Sequence, residues 1–129
     1  MWAQLIQIVI ARLQTALGAT VAVQTVFDAE VPDTATVYVL RGGTSELSLY
    51  GERGTEKLLV GCWVQDDDPA AADLALQTLE NDVIGALRTL PHSESVLNIA
   101  ITGIDADGDA FRPVVSSMIN LTIDWRMPP

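Results

Sequence analysis

Hydrophobic residues recur along this chain with two periods, and the switches between them mark out its elements. Between residues 3 and 17, Leu5, Ile6, Val9, Leu13, Ala16 and Leu17 fall at i, i+3, i+4 and i+7 spacing, which places one apolar stripe on a helix. Gly18 follows as a stop, because a residue without a side chain takes the left-handed conformation that ends a helix. Ile8 and Ile10 lie off the stripe, so this helix is either buried on two sides or meets another chain. The β-branched run TVAVQTVF (20–27) predicts a short strand, and DAEVPD breaks it, since Pro32 has no N–H to give to a ladder. TATVYVL (34–40) predicts a second strand and RGG (41–43) a turn. SELSLYG (45–51) predicts a third strand with Leu47 and Leu49 on one face, and ERGTE (52–56) a charged loop. KLLVGCWVQ (57–65) is a fourth strand, and its unbroken apolar character predicts a central place covered on both faces.

The period then returns to 3.6. Asp68 is a good N-cap and Pro69 suits the first helical position. Leu76, Leu79, Val83, Leu87 and Leu90 mark one stripe, Ile84 widens it and Pro91 ends it. Asp66 and Asp67 add negative charge where the helix dipole favours it. Capping in solvent explains the DDD run without a metal or a reaction. The last third alternates again. SVLNIAITGI (95–104) sets Leu97, Ile99 and Ile101 on one face. SMINLTIDWRM (117–127) sets Ile119, Leu121, Ile123, Trp125 and Met127 on one face, and Asn120, Thr122, Asp124 and Arg126 on the other. The element order predicts a single α+β domain over residues 1–129: a mixed, mainly antiparallel sheet packed against two helices, closing with a C-terminal hairpin.

Composition adds constraints. The chain has 129 residues, and 49 % are hydrophobic, enough for a core. No apolar run reaches the roughly eighteen residues of a membrane span. The opening MWAQLIQIVI has no basic stretch before its apolar part, and Gln4, Gln7 and Arg12 interrupt it at helical spacing. It therefore reads as a helix of the mature fold rather than a signal peptide, in a protein made in the cytosol. Seventeen acidic residues against seven basic give a net charge of −10. That excess argues against gripping nucleic acid by its phosphates or binding an anionic membrane.

Candidate chemistry is sparse. Asp105, Asp107 and Asp109 alternate in IDADGDAFRP. A calcium loop starting at Asp105 would need glycine at its sixth position and glutamate at its twelfth; here Gly108 is fourth and Ser116 twelfth. A pair of catalytic carboxylates would need one acid in an apolar pocket, and these lie in a polar stretch. Asp-Gly as a hairpin reversal accounts for the segment, with a weak cation site at a subunit junction as the alternative. The lone Cys62 has no disulfide partner, and nothing places the one histidine, His92, beside it as a base. RGGTSE lacks the spacing of a phosphate loop, and no cysteine–histidine cluster could hold zinc. The expected sets are therefore catalytic none, cofactor none and metal none. Trp63 and Trp125 lie on predicted strands, as core side chains or as interface anchors.

Four stretches carry a likeness: the opening helix LIQIVIARLQTAL; the strand TATVYVLRGG after an acidic, proline-containing loop; the run from KLLVGCWVQ through an acidic linker into DLALQTLENDVIGALRTL; and the last strand MINLTIDWRM after an aspartate-rich turn. In architecture, length and hydrophobic pattern the chain resembles the tail terminator proteins of long-tailed phages, the group that includes lambda minor tail protein U. The resemblance implies a structural protein without enzymatic activity. It further implies a ring, usually a hexamer, that caps the tail tube, ends its polymerisation and offers a surface for head–tail joining. The implied partners are further copies of the chain, the tail tube protein and the head–tail connector, and no membrane. The implied place is the head-proximal end of the tail in the virion, after synthesis in the host cytoplasm. Six copies at −10 each would carry −60, so DNA would pass through without specific binding. Another phage neck or connector protein of the same plan, or a small ligand-binding regulatory domain, are the alternatives. Contacts between copies are expected from the mixed-charge stretch 51–57, through Glu52, Arg53, Glu56 and Lys57, and from Asp124, Trp125 and Arg126 on the last strand.

Overall fold

The first apolar stripe forms α1 (Trp2–Leu17), which ends at Gly18 with φ +72°. The computed structural model describes residues 1–18, 21–24, 35–93, 95–106 and 113–127. After α1 come β1 (Ala22–Gln24), β2 (Thr36–Ser45), β3 (Arg53–Gln65), α2 (Pro69–Arg88), β4 (Val96–Ala106) and β5 (Val114–Arg126). The strands form one sheet in the order β1-β2-β3-β5-β4, parallel between β1 and β2 and antiparallel elsewhere. The architecture is the α+β arrangement expected, with β3 central and β4–β5 as the closing hairpin. Of the predicted 20–27 strand, residues 21–24 are described and Ala22–Gln24 form β1; the loop through Pro32, residues 28–33, lies outside the described residues.

Both helices pack on one face of the sheet. Leu5, Val9 and Leu13 of α1 and Ala72, Val83 and Leu87 of α2 meet Val37, Val39, Leu58, Val60, Ile119, Leu121 and Ile123 in one buried cluster. At roughly 1.5–3 kcal/mol for each large side chain removed from water, this burial dominates the favourable side of folding. The buried residues of α1, Leu5, Ile6, Val9, Ile10 and Leu13, form one arc rather than two sides. Ile10 is buried against the core, whereas Ile8 and Ala16 are exposed. The helix sits between α2 on one side and β1–β2 on the other, which rotates its buried arc away from Ala16. Helix α2 starts as predicted: Asp68 caps it by accepting from the Ala70 N–H at 3.2 Å, and Pro69 follows. Its end is held from α1, where the Arg12 guanidinium donates to the Ala86 carbonyl at 3.2 Å and to the Thr89 hydroxyl. A cation there satisfies carbonyls that a helix C-terminus leaves without partners. No helix among the described residues is long and apolar enough to cross a membrane.

The β2–β3 region departs from the sequence reading. RGG does not reverse the chain; β2 runs through it to Ser45, with a register shift between Arg41 and Gly43. The glycines serve a bulge. A Cβ on Gly42 would lie 2.9 Å from the Lys57 carbonyl oxygen, and Gly43 has φ +126°. The reversal occurs at residues 46–52, where the alternation of Leu47 and Leu49 predicts a strand. There Ser48 and Arg53 close the turn through a 2.9 Å backbone bond, and the Ser48 hydroxyl accepts from the Glu52 and Arg53 N–H groups. Strand β3 consequently begins at Arg53, inside the 52–56 stretch whose composition predicts a loop. On β4, a second register shift between Val96 and Asn98 buries Val96 and leaves Leu97 exposed, against the expected alternation.

Candidate functional site

Among the described residues, the mixed-charge stretch 51–57 holds no ion pair between its own members. Glu52 is exposed at the turn, Arg53 and Lys57 are exposed on β3, and Glu56 is 1 % exposed on the helix-covered side of the sheet. Alternation along a strand puts Glu56 and Lys57 on opposite faces, so they cannot pair. Glu56 instead reaches across to β2. The Arg41 Nε donates to its Oε1 at 3.1 Å, and the Thr44 hydroxyl donates to its Oε2. The Arg41 guanidinium also lies 4.5 Å from the centre of the Trp2 ring, which ties α1 into the network. A buried carboxylate requires partners of this kind. Arg41 was not singled out in the sequence, because its pairing with Glu56 depends on the bulge at Gly42.

On β5, Asp124 lies on the sheet face away from the helices and accepts from the Thr55 hydroxyl at 2.6 Å. Arg126 is exposed, and its backbone N–H bonds the Ser95 carbonyl. Trp125 is 5 % exposed, and its Nε1 is buried without a hydrogen-bond partner. It packs at the end of the core beside Gly54, where an added Cβ would come within 3.1 Å of the indole ring. Within one copy Trp125 belongs to the buried core cluster. Trp63 is half-buried and meets Tyr38 edge-on, with ring centres 6.0 Å apart.

The arrangement around the 46–52 turn was not foreseen. Leu47, Leu49, Tyr50, Leu97 and Met127 are 58, 89, 81, 42 and 50 % exposed, five of the nine large hydrophobic side chains that remain exposed among the described residues. They gather at one end of the sheet. Leu47 lies against Gly54, Leu97 lines one hollow with Glu46 and Gly54, and the Met127 N–H bonds the Glu52 carbonyl at 2.6 Å. Scattered exposed apolar residues are ordinary, whereas large contiguous apolar patches are the kind of surface through which proteins meet other molecules. The sequence signal was present in LSLY next to Gly51, but its period of two was indistinguishable from that of a strand.

The reactive groups are disposed as follows. Cys62 is buried on the core side of β3, and burial pushes its thiol up to about 12; the Glu80 carboxylate adds to the rise and the Ser117 side chain opposes it. Ser117 is its cross-strand neighbour, but the Ser117 hydroxyl reaches no partner at hydrogen-bonding geometry. A thiol so disposed stays protonated at neutral pH and is a poor nucleophile. His92 is exposed after α2. Asp105 is exposed at the end of β4 and accepts from the Asn120 amide at 3.0 Å, while Asp107 and Asp109 lie outside the described residues. Among the described residues no three His, Cys, Asp or Glu side chains are grouped to hold a metal ion.

No protein-family model matches the chain, and no curated protein matches it. Among solved structures, it is similar to a chain of the virion of a native gene transfer agent particle. The TM-score is 0.65, with 12 % sequence identity over 95 % of each chain. At that identity the likeness is one of fold.

Proposed function

We propose that this protein is a structural component of a phage-like virion, a tail terminator whose copies close into a ring, most simply a hexamer, at the head-proximal end of a tail tube. The observation that carries the reading is the whole-chain fold likeness to a chain of a gene transfer agent virion, which extends over 95 % of both chains. Two features of the molecule support it. The exposed apolar cluster at one end of the sheet is suited to lasting contact with another protein. The acidic excess is concentrated around α2, where Asp66, Asp67, Asp68, Asp73, Glu80 and Asp82 are offset within the helix by Arg88 alone. In a ring, such charge would let a polyanion slide rather than adhere. Glu52, Arg53, Lys57, Asp124 and Arg126 remain candidates for contacts between copies. Glu56 and Trp125 act in the same region by holding the strand ends in place.

The test is imaging of the purified protein by negative stain together with sedimentation velocity. Rings with a central hole are expected. A species that stays monomeric at high concentration, with and without divalent cations, sinks the reading. Because the likeness is to a chain of a whole virion particle, it serves a neck or connector protein equally well. Co-sedimentation with assembled tail tubes, against co-sedimentation with isolated head connectors, separates the two.

A further inference from the structure

The sheet has two open edges, and they lie on opposite sides of it. On one side the strand order ends at β4, which pairs with β5 and, among the described residues, with no other strand. On the other side β1 covers only Thr36–Tyr38 of β2, and β2 runs on to Ser45 with no described strand beside it. The row of N–H and C=O groups along such an edge bonds one kind of occupant, another extended backbone. At the start of β4, Ser93 occupies that row: its N–H bonds the Val96 carbonyl at 3.0 Å, and its hydroxyl accepts from the Val96 N–H at 3.1 Å. From Asn98 to Ile101 the pairing of β4 with β5 keeps one register, and the outer edge of this run meets no strand among the described residues. Edges are commonly guarded by lysine or proline, and 96–106 contains neither; Leu97 and Ile104 are exposed there instead.

The two edges match in direction, level and charge. The steps β2–β3, β3–β5 and β5–β4 are all antiparallel, so β2 and β4 run opposite ways. Laying β4 of one copy beside β2 of the next therefore continues the antiparallel sheet, with the helices of both copies on one face. Pairing also carries a common level across the sheet. Ser45 pairs with Thr55, Thr55 with Asp124 and Asp124 with Asn98; Arg41 leads in the same way through Leu58 and Leu121 to Ile101. Rotation about an axis along the strands preserves that level. Residues 98–101 and 41–45 contain no acidic side chain, in a chain at −10, so like charges do not meet between them.

We propose that copies join by extending the sheet, with residues 98–101 of β4 in one copy pairing antiparallel with residues 41–45 of β2 in the next. This rests on the ring reading and names its contact. Beyond Ile101 the next copy's β1 takes over the β2 edge, and the register shift between Ile101 and Gly103 is where β4 turns aside. The two edges of a copy differ, so the contact is heterologous and propagates until it closes.

The experiment uses the full chain. Amide hydrogen exchange is followed at protein concentrations above and below the midpoint of self-association. Peptides covering 98–101 and 41–45 should both exchange at least tenfold more slowly in the ring, because their outward N–H groups gain carbonyl partners. Ser45→Cys with Asn98→Cys, treated with a short bis-maleimide, should give a cross-linked ladder extending beyond the dimer on a denaturing gel. Both positions are exposed, at one level and on the sheet face away from the helices. Within one copy three strand spacings, roughly 14 Å, separate them. Each single cysteine variant should give no cross-link, because Cys62 is buried and protonated. Rings in which neither segment gains protection, with no ladder from the double cysteine variant, overturn the sheet extension while leaving the ring. Protection of 98–101 alone, with a cross-linked dimer from Asn98→Cys by itself, overturns it in favour of a twofold pairing of β4 with β4. A wild-type chain that never associates overturns both the extension and the ring.

Discussion

Glu56 shows how one side chain can read as a surface charge and be a structural one. It is buried at the β2–β3 pairing, so removing its partner leaves a carboxylate with one hydroxyl donor in place of a cation. Arg41→Ala is expected to lower stability by about 2 kcal/mol in urea denaturation, below the roughly 3–5 kcal/mol of a fully buried pair because Arg41 is 42 % exposed. The double replacement Arg41→Met with Glu56→Leu should recover most of that loss, since an apolar pair needs no desolvated charge. A double variant less stable than the single one would show that the pair is worth more than its replacement. Cys62 supplies a second prediction at this scale. Its thiol ionises near 9.0 in an unfolded chain and near 12 in the fold, so the folded state favours the protonated form. The contribution to stability is complete below pH 9 and is lost as pH rises from 9 to 12, because the unfolded chain gives up its proton first. Lysines and tyrosines titrate in the same window, so the readout is the difference between wild type and Cys62→Ala. That difference should narrow steadily from pH 9 upward, and one that is constant with pH would place the thiol in contact with water.

Among the elements, α2 was the most legible, because three local signals agreed: an Asp68 cap, Pro69 at the first position and a stripe from Leu76 to Leu90. Asp68→Ala should cost about 1 kcal/mol by thermal or urea unfolding, the usual worth of an N-cap. A loss below the error of measurement would mean that Asp66, which accepts from the Asp68 N–H at 3.0 Å, takes over the cap. Strand β5 was equally plain, since period two runs from Ser117 to Trp125 with alternate residues buried. The β2–β3 hairpin was not legible. Two glycines that accommodate a bulge look, in sequence, like a reversal, and Leu47 and Leu49 in the true reversal alternate like a strand. Only the pairing register, which belongs to the tertiary structure, separates the two cases. The error carried through to the candidate site. A loop at 52–56 hides the exposed tip at Leu49 and Tyr50 and counts Glu56 among the surface charges. In the same way, the bulge at Leu97 turns one side chain outward without any mark in the composition of β4.

At the scale of the whole molecule, charge and apolar surface oppose each other. A chain at −10 repels its own copies, and the repulsion in a ring grows with every added subunit. Exposed apolar side chains such as Leu49 and Tyr50 act only at contact, whereas the repulsion between whole subunits acts at long range when ionic strength is low. Salt screens the long-range term over a Debye length that shrinks from about 30 Å at 0.01 M to about 8 Å at 0.15 M, and leaves apolar contact nearly unchanged. Assembly of the proposed ring should therefore strengthen as sodium chloride rises from 0.01 to 0.15 M, seen as a shift to the faster-sedimenting species at fixed protein concentration. The same charge should keep duplex DNA unbound at both salt concentrations in a filter-retention assay, because a net −10 chain repels the phosphates. Assembly that weakens with salt would mean that attractive ion pairs dominate the contact. That outcome would place the charged residues Arg53, Lys57 and Arg126 in the interface.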